Sequence, residues 1–258
     1  MGPGTDVARE TRMPDASAVD AGSRLDTALL GQAAVLIWND VAQEGREQFY
    51  EWHDKEHMPE RLKLPGFRRG RRFIRPGHSP EWLTMYEAVD LSALVSPQYL
   101  ARLDAPTPAT VSALRDFRNT SRAVCRLVYS VGSSTGGHVL ALRLSVDPAH
   151  SDAMCRYLCN EAFARAMLLT GVVACHLYGA DSSASYVDTV ESSTRKFDVP
   201  AWVLLCEAST PVAADKARGV MHERQFERLG VEVRSDGAVY ALEICRLSTV
   251  APSSCTKG

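Results

Sequence analysis

Three ionisable residues, His53, Glu56 and His57, lie within five positions of each other. An imidazole titrates near neutrality and moves a proton in either direction, which makes His57 a candidate general acid or base. His53 stands one helical turn earlier on the same face. The same letters spell H-x-x-E-H, in which two histidines hold zinc and the glutamate activates water. Against zinc, Met58 and Pro59 follow at once and no third ligand motif is present, so no metal is expected. The structural alternative to catalysis is a histidine that meets the helix dipole or caps carbonyls at a helix C-terminus.

The segment that carries these residues, Glu51 to Phe67, has a degenerate copy 105 residues downstream. Trp52 falls on Tyr157, Glu56 on Glu161, Gly66 on Gly171 and Phe73 on Tyr178, whereas His57 falls on Ala162. Further on the offset becomes 120: Pro80–Trp82 recurs at Pro200–Trp202, Glu87 and Ala88 at Glu207 and Ala208, and Cys125–Leu127 at Cys245–Leu247. Two constant offsets separated by one insertion predict two homologous halves. Glutamate at both 56 and 161 points to a structural task there, while histidine in one copy alone predicts a single site per chain.

Composition narrows the classes of function. The 258 residues are 45% hydrophobic and carry a formal charge of −2, so a large core is affordable and a phosphate-backbone partner is not indicated. Seven cysteines occur without a C-x-x-C pair, and the odd count leaves one unpaired in any disulfide scheme. Reduced thiols in a cytoplasmic protein are the reading; Cys155 and Cys159 share a helix face as small buried thiols. Residues 1–30 read as a disordered tail without a signal-type apolar run, and 251–258 as a second tail. No apolar run approaches the roughly 20 residues of a membrane helix. Motifs for triad hydrolysis, dinucleotides and nucleotides are missing.

Periodicity supplies the elements that position these residues. Ala33–Trp38 predicts a strand, Gly45–Arg61 a helix ended by Pro65 and Gly66, and Phe67–Arg75 and Trp82–Val89 two strands around a turn. Ser96–Phe117 predicts one helix or two, broken near Pro106 and Pro108, before a strand at Ala123–Val131. The order β-α-β-β-α-β is ferredoxin-like, and 31–132 forms the first repeat. Gly132–Gly137 is the linker, and 133–250 repeats the order with an insertion near 182–197, a candidate flap.

The pattern formed by Trp52, Glu56, His57, Pro59, Arg61, Leu62, Pro65, Gly66 and Phe67 resembles the EthD-like branch of the dimeric α/β-barrel superfamily, as do Ser96–Leu103 and Phe117–Asn119. The resemblance covers Ala33–Val131, and the second half only through the repeat. It implies an α+β fold in which two ferredoxin-like sheets pair as a barrel, here within one chain. It also implies small-molecule chemistry, spanning isomerases, lyases, monooxygenases and haem enzymes, many cofactor-free.

Alternation along strands predicts an aromatic and cationic barrel interior. Leu36, Trp38, Phe67, Arg69, Arg71, Phe73, Thr84, Tyr86 and Arg126 should point inward in the first half, and Ala141, Arg143, Val172, Ala174, His176, Tyr178 and Arg246 in the second. Buried arginines need anions. The anion is either a substrate or a protein carboxylate such as Glu87. On the first choice the chain is a cofactor-independent lyase, isomerase or dehydratase acting on an anionic or aromatic metabolite. Its catalytic residues would be His57, Arg71 and Tyr86, with Trp38, Arg69, Phe73, Arg126, Arg143, His176 and Arg246 binding substrate. The other readings are a haem- or oxygen-using enzyme, a non-catalytic carrier, and an interaction protein with a filled barrel. A homodimer of tandem chains stays open.

Overall fold

A computed structural model describes residues 27–187, 189–192, 199–221 and 224–250. Most of the expected tails, and part of the expected flap, lie outside the described residues; residues 27–30, expected in the N-terminal tail, instead belong to the fold, with Leu29 in the barrel core and Leu30 N–H bonded to Glu87.

The first half runs β1 (Ala33–Val41), α1 (Arg46–Trp52), a π turn at His53–His57, α2 (Met58–Leu62), β2 (Phe67–Ile74), β3 (Trp82–Ala88), α3 (Pro97–Asp104), α4 (Pro108–Leu114) and β4 (Phe117–Val131). The second runs β5 (His138–Ser145), α5 (Ser151–Tyr157), a π turn at Leu158–Ala162, α6 (Phe163–Met167), β6 (Val172–Ala180), α7 (Ser182–Ser185), β7 (Trp202–Ala208), α8 (Pro211–Met221), α9 (Arg224–Leu229), β8 (Glu232–Val233) and β9 (Ala238–Leu247). Ser96 and Thr107 accept the backbone N–H of Tyr99 and Thr110 at the starts of α3 and α4, each followed by proline in the first turn. That pairing of cap and proline splits the region into two helices.

Each half builds a four-stranded antiparallel sheet, β4-β1-β3-β2 and β9-β5-β7-β6. The halves then exchange edges, β4 pairing with β6 and β2 with β9, so that eight strands close into a barrel. Closure removes the exposed edges that two open sheets would carry. The interior core joins Leu36, Trp38, Phe73, Leu83 and Met85 to Tyr178, Val203, Leu205 and Tyr240. Outside, each half packs its helices on its own sheet.

The halves match in detail. Both π turns, and the register breaks after Phe67 and after Val172, are 105 residues apart. Gly66 and Gly171 take φ of 86° and 92°, and a Cβ at either would stand 2.5 or 2.9 Å from the Cβ of Ala93 or Ala213. Glycine alone satisfies both demands.

Four expectations about facing are corrected. Thr84 and Tyr86 point outward, because Leu83, Met85 and Glu87 are the inward set of β3. All seven residues of β3 are buried, so the strand has no polar face from which to read its register. Phe67 and Val172 also belong to the outer layers, since the irregularity that follows each one shifts the alternation. Arg126 lies outward with its side chain 56% exposed, near Asp181 at 3.6 Å. Arg246 pairs in register with Gly70, an outward position, after a break in β9 next to Leu242. The final strands also correspond at an offset of 115, since Ala34 faces Cys125 as Val139 faces Tyr240, so the likeness of Cys125–Leu127 to Cys245–Leu247 is not a structural equivalence.

Candidate active site

Charged side chains are buried in two places. The first is the barrel interior, where Arg69 makes a bidentate pair with Glu87 (2.7 and 3.0 Å), and Arg71 joins Glu87 (3.2 Å) to Glu207 (2.7 Å). Glu87 Oε2, already bonded by Arg69, also accepts the backbone N–H of Leu30 at 2.9 Å, and the second oxygen of Glu207 accepts that of Gly136 at 2.8 Å. Burial alone would raise the Glu207 carboxyl, but His176 and Arg71 hold it down to about 2. His176 bonds Ser130 through Nδ1 at 2.8 Å, and its Nε2 lies 3.4 Å from Glu207 without completing a hydrogen bond. Arg143 pairs with Asp236 and stacks 4.8 Å above Trp38, and Arg71 lies 5.4 Å from the Phe73 ring. Six expected site residues, Trp38, Arg69, Arg71, Phe73, Arg143 and His176, therefore do meet inside the barrel. The two arginine charges at its centre are balanced by two protein carboxylates.

The second place is the layer between the helices and the sheet of the first half. The π turn carries His53 and His57 onto the outer face of the sheet, beside Tyr86, and His57 is only 8% exposed. Arg72 donates to His53 Nδ1 at 2.9 Å. Guanidinium can only donate, so Nδ1 is the unprotonated nitrogen and Nε2–H faces the Tyr86 oxygen at 3.3 Å. The Tyr86 hydroxyl proton is thereby left for another acceptor. Burial pushes the Tyr86 hydroxyl far above its ordinary range, against the opposing pull of Arg61, so it stays protonated.

The His57 ring lies 4.3 Å from that of Trp52 in a tilted contact and stacks 5.8 Å from His53, and its Nδ1 is buried without a hydrogen-bond partner. Burial first, then the charges of Arg61 and Arg102, drive it well below the usual histidine range, so it is a neutral base. Trp52 is held by an indole N–H bond to Thr110 at 3.0 Å. Arg122 donates to the Tyr99 hydroxyl at 3.1 Å and makes no ion pair among the described residues. Arg61 pairs with Glu191, which the second half contributes from its insertion. That insertion covers this face: Asp181 N–H bonds Val124 O at 2.8 Å, Ser185 Oγ accepts from Val124 N–H at 2.9 Å, and Ala184 joins the core with Tyr86 and Tyr99.

The second half shows what the fold requires at these positions. His53, His57, Arg61 and Arg72 correspond to Leu158, Ala162, Ala166 and Leu177, and Thr84 and Tyr86 to Leu204 and Cys206, all members of one apolar core. A purely apolar layer is sufficient for packing. The polar groups of the first half are costly there, about 1 to 3 kcal/mol for each unsatisfied one.

Of the expected catalytic set, the layer holds His57 and Tyr86, while Arg71 lies in the barrel; Arg126 and Arg246 belong to neither cluster. His53, Arg61, Arg72, Tyr99, Arg122 and Glu191 were not among the expected site residues. Comparing the two copies by polarity, position by position, would have found the first three, whose counterparts are Leu158, Ala166 and Leu177. Glu56 accepts a bond from Thr107, the cap of α4, whereas Glu161 is exposed, so the structural task expected at both positions is met at Glu56 and not at Glu161. Among the described residues no group of three potential ligands is placed to hold a metal, and Arg72 occupies the His53 nitrogen that zinc would need. Cys125, Cys155, Cys159, Cys175, Cys206 and Cys245 are free thiols.

No protein-family profile and no curated protein sequence matches the chain. Solved structures do. An anthrone oxidase-like protein superposes with a TM-score of 0.61 at 10% identity, over 87% of this chain and 96% of the other. The fold is the dimeric α/β-barrel fold. A chlorite dismutase variant from Candidatus Nitrospira defluvii gives 0.51 at 8% identity over 82% and 91%, and a candidate monooxygenase from Fusobacterium nucleatum 0.51 at 8% over 85% and 96%. Haem was one of the expectations raised by the sequence resemblance, and the two buried histidines considered for it, His57 and His176, do not fit the group. The His57 ring is walled by Trp52, His53 and Tyr86, and His176 is bound to Ser130 beside Glu207. Among the described residues, no helix is long and apolar enough to cross a membrane.

Proposed function

We propose that this chain is a cofactor-independent, oxygen-using enzyme of the EthD-like branch, derived by tandem duplication, with one active site in the helix–sheet layer of its first half. Neutral His57 removes a proton from an enolisable or phenolic small molecule. Arg122 and Arg61 balance the resulting anion, and Tyr86 donates a hydrogen bond to its oxygen. The substrate takes the space now filled by Ala184 and Glu191, its anionic oxygen replacing the Glu191 carboxylate at Arg61.

The observation that carries this reading is the contrast between the halves, since the polar set of the first is apolar in the second. The fate of the anion follows from its electrons. Its electron pair passes to dioxygen, one proton completes a hydroperoxide, and loss of water leaves a carbonyl, so that CH₂ and O₂ become C=O and H₂O. The likeness to an anthrone oxidase-like protein favours this over return of the proton, which would make the enzyme an isomerase or lyase.

The test is oxygen uptake with anthrone and related enolisable ketones, for wild type and His57→Leu. Uptake above the spontaneous rate that falls at least about 100-fold in the variant is expected. Turnover without oxygen uptake would replace the oxygenase by an isomerase or lyase. Equal uptake by both proteins would remove His57 from the reaction.

A further inference from the structure

The two halves differ in what lies against their last strands. In the first half the long insertion rests on β4 and α3, through Val124 and through a bond from Glu191 N–H to Leu103 O at 3.3 Å, and brings Asp181 and Glu191 to Arg126 and Arg61. The counterpart surface of the second half, β9 and α8, faces the first-half hairpin. That hairpin is a short turn, closed by Arg75 N–H to Glu81 O at 2.9 Å, and it leaves a groove of about 860 Å³.

The groove has the chemistry of a site. Ile74, Val239 and Ala241 make an apolar floor, with Pro76 and Pro211 at its sides. Arg75 and Lys216 stand on it and make no ion pair among the described residues, while Arg218 is neutralised by Asp215 at 3.2 Å. His138 also lines the groove, and its Nδ1 is buried with no hydrogen-bond partner. His78 is fixed by donation to the Asp236 carbonyl at 3.1 Å, which ties the hairpin to the second half. The groove is therefore built by both halves and is separate from the layer around His57. Its volume falls in the range of small-molecule sites, about 300 to 1,000 Å³.

We infer that this groove binds an amphipathic organic anion, its apolar body on Ile74, Val239 and Ala241 and its carboxylate or sulfonate between Arg75 and Lys216. Two cations with no ion pair among the described residues, over an apolar floor, select such a molecule over a neutral one, because the anion matches both surfaces. The acidic insertion that covers the matching face of the first half is the internal precedent, a chain segment whose carboxylates meet arginines there.

The probe is 8-anilinonaphthalene-1-sulfonate, titrated by fluorescence and calorimetry into wild type, Arg75→Glu/Lys216→Glu and His57→Leu, with N-phenyl-1-naphthylamine as the uncharged control. One bound sulfonate is expected, weakened at least about tenfold by the charge-reversal pair, unchanged by His57→Leu, and bound more tightly than the neutral probe. Both reversed residues are on the surface, and the milder Arg75→Ala/Lys216→Ala pair should show the same direction. Binding lost in His57→Leu but kept in the reversal pair would put the anion in the layer and overturn the inference. Failure to bind at millimolar concentration, or equal affinity for the neutral probe, would also overturn it.

Discussion

The His57 and Trp52 rings lie 4.3 Å apart, centre to centre, and this tilted contact leaves His57 Nδ1 buried with no hydrogen-bond partner. A group that gives so little to stability is set for another purpose. Replacing His57 by leucine, of similar size, removes the unsatisfied nitrogen and should stabilise the protein by about 1 kcal/mol. Activity should fall by about 10² to 10⁴. Urea unfolding of the variant checks the first outcome, and a clear loss of stability would make His57 a packing residue.

Acid should weaken the fold before any carboxylate titrates. Burial lowers both His57 and His53, with Arg61 adding to the first; for the second, Asp54 opposes burial and Arg72 reinforces it. The unfolded chain takes up a proton at each histidine below about pH 6.5, and the folded chain does not, so stability rises with pH through that window. It is fully present above 6.5 and lost below it, by up to about 1.4 kcal/mol per pH unit for each histidine. Unfolding midpoints at pH 7.5, 6 and 5 measure this slope, and His57→Leu should reduce it clearly, with His53 and the also lowered His78 keeping the remainder.

The barrel interior should behave as scaffold. Arg71 bridges Glu87 and Glu207, all three within a few per cent of full burial. Glu207→Gln leaves a buried cation short of its counter-charge and should cost about 3 to 5 kcal/mol, whereas Arg71→Met with Glu207→Leu should recover most of that. Activity per folded molecule should change little in the double variant. A loss of 100-fold or more, with the protein folded, would return Arg71 to the catalytic set.

Opening the cover should expose the site. Glu191 holds Arg61 from across the two halves, and its replacement by alanine removes the ion pair. Carbethoxylation of His57 by diethylpyrocarbonate, followed by peptide mass analysis, should then proceed at least about tenfold faster. An unchanged rate would mean that the insertion does not control access.

Most of the architecture was legible because the chain states it twice. The offset of 105 aligned π turns, register breaks and the glycines at 66 and 171, and alternation placed Leu36, Trp38, Phe73 and Tyr178 inside. Legibility ended where physical contrast ended. In β3 every position is buried, so nothing in the pattern told Tyr86 from Met85. The arginines of the interior were visible as a need for anions, but that Glu87 and Glu207 meet it depends on pairing across strands and across the halves. Glu191 was beyond reach for a similar reason, since it lies 130 residues from Arg61 and arrives on an insertion without a counterpart. The layer around His57 came from comparing what each copy buries, which periodicity does not report.

The central claim is that His57 removes a proton from carbon in the first-half layer. The direct measurement is deuterium uptake at the acidic carbon of an enolisable ketone, followed by NMR in D₂O without oxygen, for wild type and His57→Leu. The account predicts exchange above the buffer background in wild type and at least about 100-fold less in the variant. Equal exchange by the two proteins would contradict it.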